Sequence, residues 1–133
     1  MSQAIQFING SWLEGQGHEM KSLNPAKNEV IWQGHTATAT QVNEAVNAAR
    51  TAFNTWALAS LEDRIAIVEK FAEQLTTNKE ALAVTIAQET GKPLWETRTE
   101  VGAMVGKVAI SLKAYHERTG TVENPMPGAK AFI

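Results

Sequence analysis

From residue 42 onward the apolar positions fall into helical runs. Val42, Ala45, Val46, Ala49, Phe53 and Trp56 recur at spacings of three and four. Ile65, Val68, Phe71, Ala72 and Leu75 repeat the pattern, and Val101, Met104, Val105, Val108, Leu112 and Tyr115 give its longest version. Such spacing marks one face of an α-helix. The boundaries carry their own chemistry. Thr38 with Gln41 three residues on is a capping box, Ser60 with Asp63 is a second cap, and Thr77 with Glu80 a third. The third places a break near residues 76–78, ahead of Leu82, Ile86 and Glu89. Gly91 then ends one run and Pro93 opens the next, the usual glycine-after, proline-before asymmetry of helix ends. Glu96 and Glu100 lie toward the positive end of the last helix and His116 and Arg118 in its final turn, as the macrodipole favours. Gly120 closes it. The predicted helices are 38–57, 60–90 and 93–119.

Residues 1–36 have a different rhythm. Ile5–Ile8 and Ser11–Leu13 flank Asn9-Gly10, the preferred pair for a type I′ hairpin turn because both central residues need positive φ. Gly15-Gln16-Gly17 predicts a second turn, and His18–Leu23 a short strand that Asn24-Pro25 breaks. Asn28 is expected in the left-handed region, and Val30-Ile31-Trp32 form the next strand. Past Gly120, residues 123–128 hold two prolines and predict a loop, and Ala129–Ile133 begin something extended. The expected fold class is α+β, an N-terminal hairpin and short strands followed by three to four α-helices.

Composition narrows the function classes. With 133 residues, 44% hydrophobic and 20% charged, the sequence predicts one globular domain. A net charge of −2 gives no electrostatic case for nucleic acid or an anionic membrane. Zero cysteines exclude a disulfide, a thiolate metal site and a cysteine nucleophile within these residues. The first residues lack the basic and long apolar regions of a signal peptide, and the composition is of a cytoplasmic kind.

Several small motifs dissolve on inspection. His18, His35 and His116 have no metal-ligand spacing. Gly15-Gln16-Gly17 lacks the third glycine and the following helix of a dinucleotide fingerprint, and neither Gly91-Lys92 nor Gly106-Lys107 completes a P-loop. Gly102 and Gly106 stand inside the longest helix, where each costs about 1 kcal/mol relative to alanine. Close approach of a neighbouring helix or backbone is the expected reason, and room for a substrate beside Met104 the alternative. Glu89 by itself reads as a solvent-facing acid, mildly unfavourable near a helix C-terminus.

Glu89-Thr90-Gly91-Lys92-Pro93 resembles the E-T-G-K-P signature near the front of NAD(P)-dependent aldehyde dehydrogenases. The following run from Lys107 to Gly120, KVAISLKAYHERTG, resembles the branch that oxidises N-succinylglutamate 5-semialdehyde in bacterial arginine breakdown. The resemblance spans nearly the whole chain but only the opening part of the family's length. Asn28 departs from it, standing where the family's N-P-A-x-G-E-V pattern has glycine.

The resemblance implies that these residues are part of the family's α/β cofactor-binding domain. It implies an NAD-dependent enzyme in which a cysteine attacks the aldehyde, hydride passes to NAD⁺ and the thioester is hydrolysed. That cysteine, the general-base glutamate and the glycine-rich cofactor turn are expected beyond residue 133, so no catalytic or cofactor-binding residue and no bound NAD are expected here. By the same resemblance Met104 lines the substrate entrance with Lys107 beside it, and Glu89 binds a monovalent cation with the backbone carbonyls of Ser22 and Leu23. Residues 121–133 would lead into an oligomerisation strand, and the partners would be the remainder of the dehydrogenase and its homo-oligomer. The first expectation is thus an N-terminal segment of such an enzyme, which the ending at Phe132-Ile133 without a polar tail favours. The second is a non-catalytic helical module that binds a protein partner through its apolar faces.

Overall fold

Asn9 and Gly10 take the two positive φ angles, 50° and 80°, that a type I′ turn demands. The turn joins β1 (Gln6–Ile8) to β2 (Ser11–Leu13), with Phe7 opposite Trp12 and their rings 5.2 Å apart. A computed structural model describes residues 6–120 and, as backbone, the strands Glu123–Met126 and Ala129–Phe132. The expected start of the first strand at Ile5 lies outside the described residues, as does Ile133.

A longer hairpin follows, β3 (Glu19–Asn24) against β4 (Glu29–His35). Its turn is built by asparagines. Asn24 Oδ1 accepts from the Ala26 amide at 3.0 Å and the Asn24 carbonyl from the Asn28 amide at 2.7 Å, while Asn28 takes φ 58°. β4 is longer than the three residues expected, because the pairing runs on to His35 and beyond: Gly17 donates to the Thr36 carbonyl and Thr36 to that of His18. Gly15-Gln16-Gly17 is correspondingly not a turn of its own. The segment runs against residues 35–37 so closely that a Cβ on Gly15 would sit 2.0 Å from the His35 carbonyl oxygen.

The helices are α1 (Ala39–Leu58), α2 (Leu61–Thr77), α3 (Lys79–Thr90) and α4 (Leu94–Arg118). Thr38 caps α1 through the expected capping box, and Ser60 accepts from the Asp63 amide to cap α2. Two boundary details differ from expectation. Thr77 is the last residue of α2, its hydroxyl donating back to the Glu73 carbonyl, and Asn78 links α2 to α3. Pro93, with ψ 142°, is the cap before α4 rather than its first helical residue. Gly91 ends α3 at φ 74°, as predicted.

α4 packs on α2 and α3, and α3 in turn on β3. Their junction buries Ala83, Val101 and Val108 together with Thr97, whose hydroxyl donates to the Ala83 carbonyl at 2.8 Å. Val105 and Leu112 are half-buried, and Met104 and Tyr115, placed on the same stripe by spacing, are exposed. A 100° stripe is wider than the contact two neighbouring helices provide, so its flanks stay in solvent. α1 touches β1 and leaves Val42, Val46 and Phe53 more than half exposed. The accessible surface, 10,244 Å², exceeds the about 6,900 Å² that a compact chain of this size would show.

The C-terminal expectation needs correcting. Glu123–Met126 is strand β5, not loop, and pairs antiparallel with β6 (Ala129–Phe132), Met126 opposite Ala129. Proline is tolerated there because a two-stranded ribbon has outward-facing amide positions that need no partner.

Candidate functional site

The chain reversal at Gly91 brings two segments distant in sequence together. A Cβ on Gly91 would lie 3.0 Å from Pro25 Cγ, so the end of α3 sits against the β3–β4 turn. One turn earlier, Glu89 Oε1 accepts a hydrogen bond from Ser22 Oγ at 2.8 Å across a separation of 67 residues. The ladder shifts register between Ser22 and Leu23 at that point, so the regular strand pairing is interrupted beside the carboxylate. A shallow groove between the β3–β4 turn and the end of α3 is lined by Ala26, Val84, Ala87 and Leu94 with Lys27 and Gln88, and neither Ser22 nor Glu89 lines it. Of the three residues singled out in the sequence, Glu89 and Ser22 meet through this side-chain bond, and Leu23 is the next residue of β3.

The first half of α4 carries charge. Lys92 reaches forward to Glu100, with Glu96 at 3.7 Å, and the hydrogen bond it donates to Glu100 is the main reason the ammonium is held above its ordinary pKa. Arg98 grips Glu80 on α3 through both nitrogens, Nε to Oε2 at 2.9 Å and Nη2 to Oε1 at 2.5 Å. That hydrogen bond is the main reason the Glu80 carboxyl lies below, and the Arg98 guanidinium above, its usual value. These pairs are solvated, so they align α3 with α4 more than they stabilise the fold.

Met104 and Lys107 follow on the same helix, three residues apart on neighbouring turns, and both are exposed. The two glycines around Met104 do not serve close packing within this chain. A Cβ on Gly102 would meet only Lys79 Nζ, at 3.9 Å, and one on Gly106 nothing within 4 Å. They stand two residues to either side of Met104, which on a helix turns them away from its side chain. His18, His35 and His116 stay apart, and among the described residues no group of three or more His, Cys, Asp or Glu could hold a metal.

Gln41 is the polar residue whose importance spacing understated. Nearly buried, it accepts through Oε1 from the Thr38 and Gln16 amides, both at 3.1 Å, and donates through Nε2 to the Glu14 carbonyl at 2.8 Å. The capping box announced only the first of these bonds. Among the described residues, this clamp places the hairpin rather than forming a reactive site.

A family model described as the aldehyde dehydrogenase family matches residues 12–133. The chain belongs to that family. The solved structures agree with the membership. An NAD-dependent benzaldehyde dehydrogenase from Corynebacterium glutamicum aligns over 96% of this chain and 28% of its own, with a TM-score of 0.82 at 23% identity, a likeness of fold. A putative aldehyde dehydrogenase from Bacillus subtilis matches with a TM-score of 0.80 at 28% identity, again over 96% of this chain and 28% of its own. A betaine aldehyde dehydrogenase from Staphylococcus aureus, solved in complex with NAD⁺, matches at 26% identity with a TM-score of 0.79, over 95% of this chain and 26% of its own. The chain of the aldehyde dehydrogenase family described here therefore spans little more than a quarter of the length of those relatives. Membership in that family does not favour the reading of a free-standing partner-binding module. No described helix is long and apolar enough to cross a membrane.

Proposed function

We propose that the chain is the N-terminal part of an NAD-dependent aldehyde dehydrogenase whose substrate is N-succinylglutamate 5-semialdehyde. The match of residues 12–133 to the family is the observation that carries the enzyme class. The substrate rests on the resemblance of residues 107–120 and on an exposed cation, Lys107, one turn along α4 from the exposed Met104. A lysine at the entrance would raise the local concentration of a dianionic aldehyde.

NAD would accept the hydride in the complete enzyme. The described residues do not fit it. They offer no glycine-rich turn between a strand and a helix N-terminus, the arrangement that seats a pyrophosphate. Cofactor and nucleophile contacts are accordingly assigned to other parts of the complete enzyme, and these residues to scaffolding. Glu89, with the Ser22 and Leu23 carbonyls, is proposed to hold a monovalent cation that ties α3 to the β3–β4 hairpin. The β5–β6 ribbon is proposed to lead into the surface by which subunits pair.

The test uses the complete enzyme. Lys107→Ala should lower kcat/KM for the succinylated semialdehyde by roughly tenfold, the loss expected for one steering charge, and leave a neutral aldehyde of similar length almost unaffected. Equal losses on both would remove Lys107 from substrate recognition.

A further inference from the structure

Asn9 is the one asparagine in the chain that precedes glycine. Its side chain is exposed at the tip of the first hairpin. Gly10 is exposed as well, and a Cβ built on it would meet nothing within 4 Å, so the nitrogen it contributes is sterically open. Among the described residues the Gly10 amide donates to no acceptor. The hairpin that carries this tip is short. Three facing pairs hold it, Gln6 to Leu13, Phe7 to Trp12 and Ile8 to Ser11. A two-stranded ribbon of that length is marginal in water, so Asn9 can leave its left-handed conformation for an extended one without disturbing the buried junction around α4.

We propose that Asn9 is a site of spontaneous deamidation, and that its isoaspartyl product unpairs the two strands of the first hairpin. The deprotonated Gly10 nitrogen attacks the Asn9 side-chain carbonyl carbon. A carbon–nitrogen bond forms to Gly10, the bond to the side-chain nitrogen breaks, and ammonia leaves with the proton. Water then opens the five-membered imide at either carbonyl, giving aspartate or isoaspartate. No oxidant or other reactant is needed. In isoaspartate the backbone runs through the former side chain and gains a methylene. A two-residue type I′ turn has no room for an extra backbone atom, so the Ile8–Ser11 pairing fails and Phe7 parts from Trp12. Asn28 provides an internal contrast. It too has positive φ, but Glu29 follows it, whose side chain crowds the nitrogen that would attack.

The experiment ages the full 133-residue chain in mildly alkaline buffer at physiological temperature and maps deamidation by peptide mass. Isoaspartate is detected by enzymatic methyl labelling. Conversion at Asn9 ahead of every other asparagine is expected, faster as pH rises, with the Trp12 indole signal in NMR spectra, resolved from those of Trp32, Trp56 and Trp95, shifting in step. Gly10→Ala should slow it by roughly tenfold, because a Cβ there crowds the attacking nitrogen and narrows its backbone freedom. Asn9→Gln, which would need a six-membered ring, should abolish it while keeping the amide. Conversion in the free peptide of residues 1–21 but not in the folded chain would overturn the proposal, since the turn would then protect Asn9. Conversion with an unchanged Trp12 indole signal would overturn the unpairing of the hairpin.

Discussion

Around α4 two helices converge and bury aliphatic carbon, whereas α1 is tied by polar atoms to the segment that follows the first hairpin and leaves its large side chains in water. In the first region Ala83, Val101 and Val108 are buried and Thr97 satisfies its hydroxyl on a neighbouring carbonyl. In the second, the buried residue is Gln41, and Val42, Val46 and Phe53 face outward. Helical spacing is as clean in α1 as in α4. An apolar stripe therefore says that a face wants cover, and the neighbouring elements decide whether it gets any.

The strongest way to break the comparison is to attack the buried junction. Val101→Asp places an unpaired charge where no solvent reaches and should cost more than about 4 kcal/mol, read by urea unfolding. A loss below 1 kcal/mol would show that the junction is not the core. Gln41→Ala comes next. It leaves the Gln16 amide and the Glu14 carbonyl without partners and should cost about 2 kcal/mol. Amide exchange should then quicken around residues 14–17 while α3 and α4 keep their protection. Uniform quickening would mean that the two regions unfold as one.

Phe53→Ser sharpens the contrast from the other side. On an uncovered face it should change stability by no more than about 0.5 kcal/mol and reduce self-association in sedimentation. A marked destabilisation would mean that α1 is covered after all. The smallest effect concerns Glu80, whose folded pKa is depressed by Arg98. A depressed carboxylate contributes stability above its unfolded value and loses it as pH falls through the folded one. Arg98→Ala should therefore be slightly less stable than the parent at neutral pH and equal to it in acid. A gap that persists in acid would assign the effect to packing of the arginine stem.

Local chemistry was legible in the sequence because its partners are local. Asn9-Gly10, the Thr38 box, the Ser60 cap and the stop at Gly91 each depend on residues within a few positions, and each stands where expected. What escaped depends on distant partners. The long bonds of Gln41, the extension of β4 past Trp32, and the pairing of β5 with β6 all need knowledge of what folds back. The pattern of Gly102 and Gly106 suggested a packing contact, yet the neighbouring helix does not arrive there. The Glu89–Ser22 meeting became visible only through family likeness, since nothing between residues 22 and 89 announces it.

Gln41 also orders events in time. Its partners Gln16 and Glu14 lie 25 and 27 residues upstream, so the clamp closes only after a loop of that length has been gathered in. Loop closure must be met before the contact returns anything. Helix α4 meets α3 across a short reversal, and Thr97 finds Ala83 only 14 residues away. The helical junction can thus assemble from near neighbours, with the first hairpin docking late and being the first part to let go.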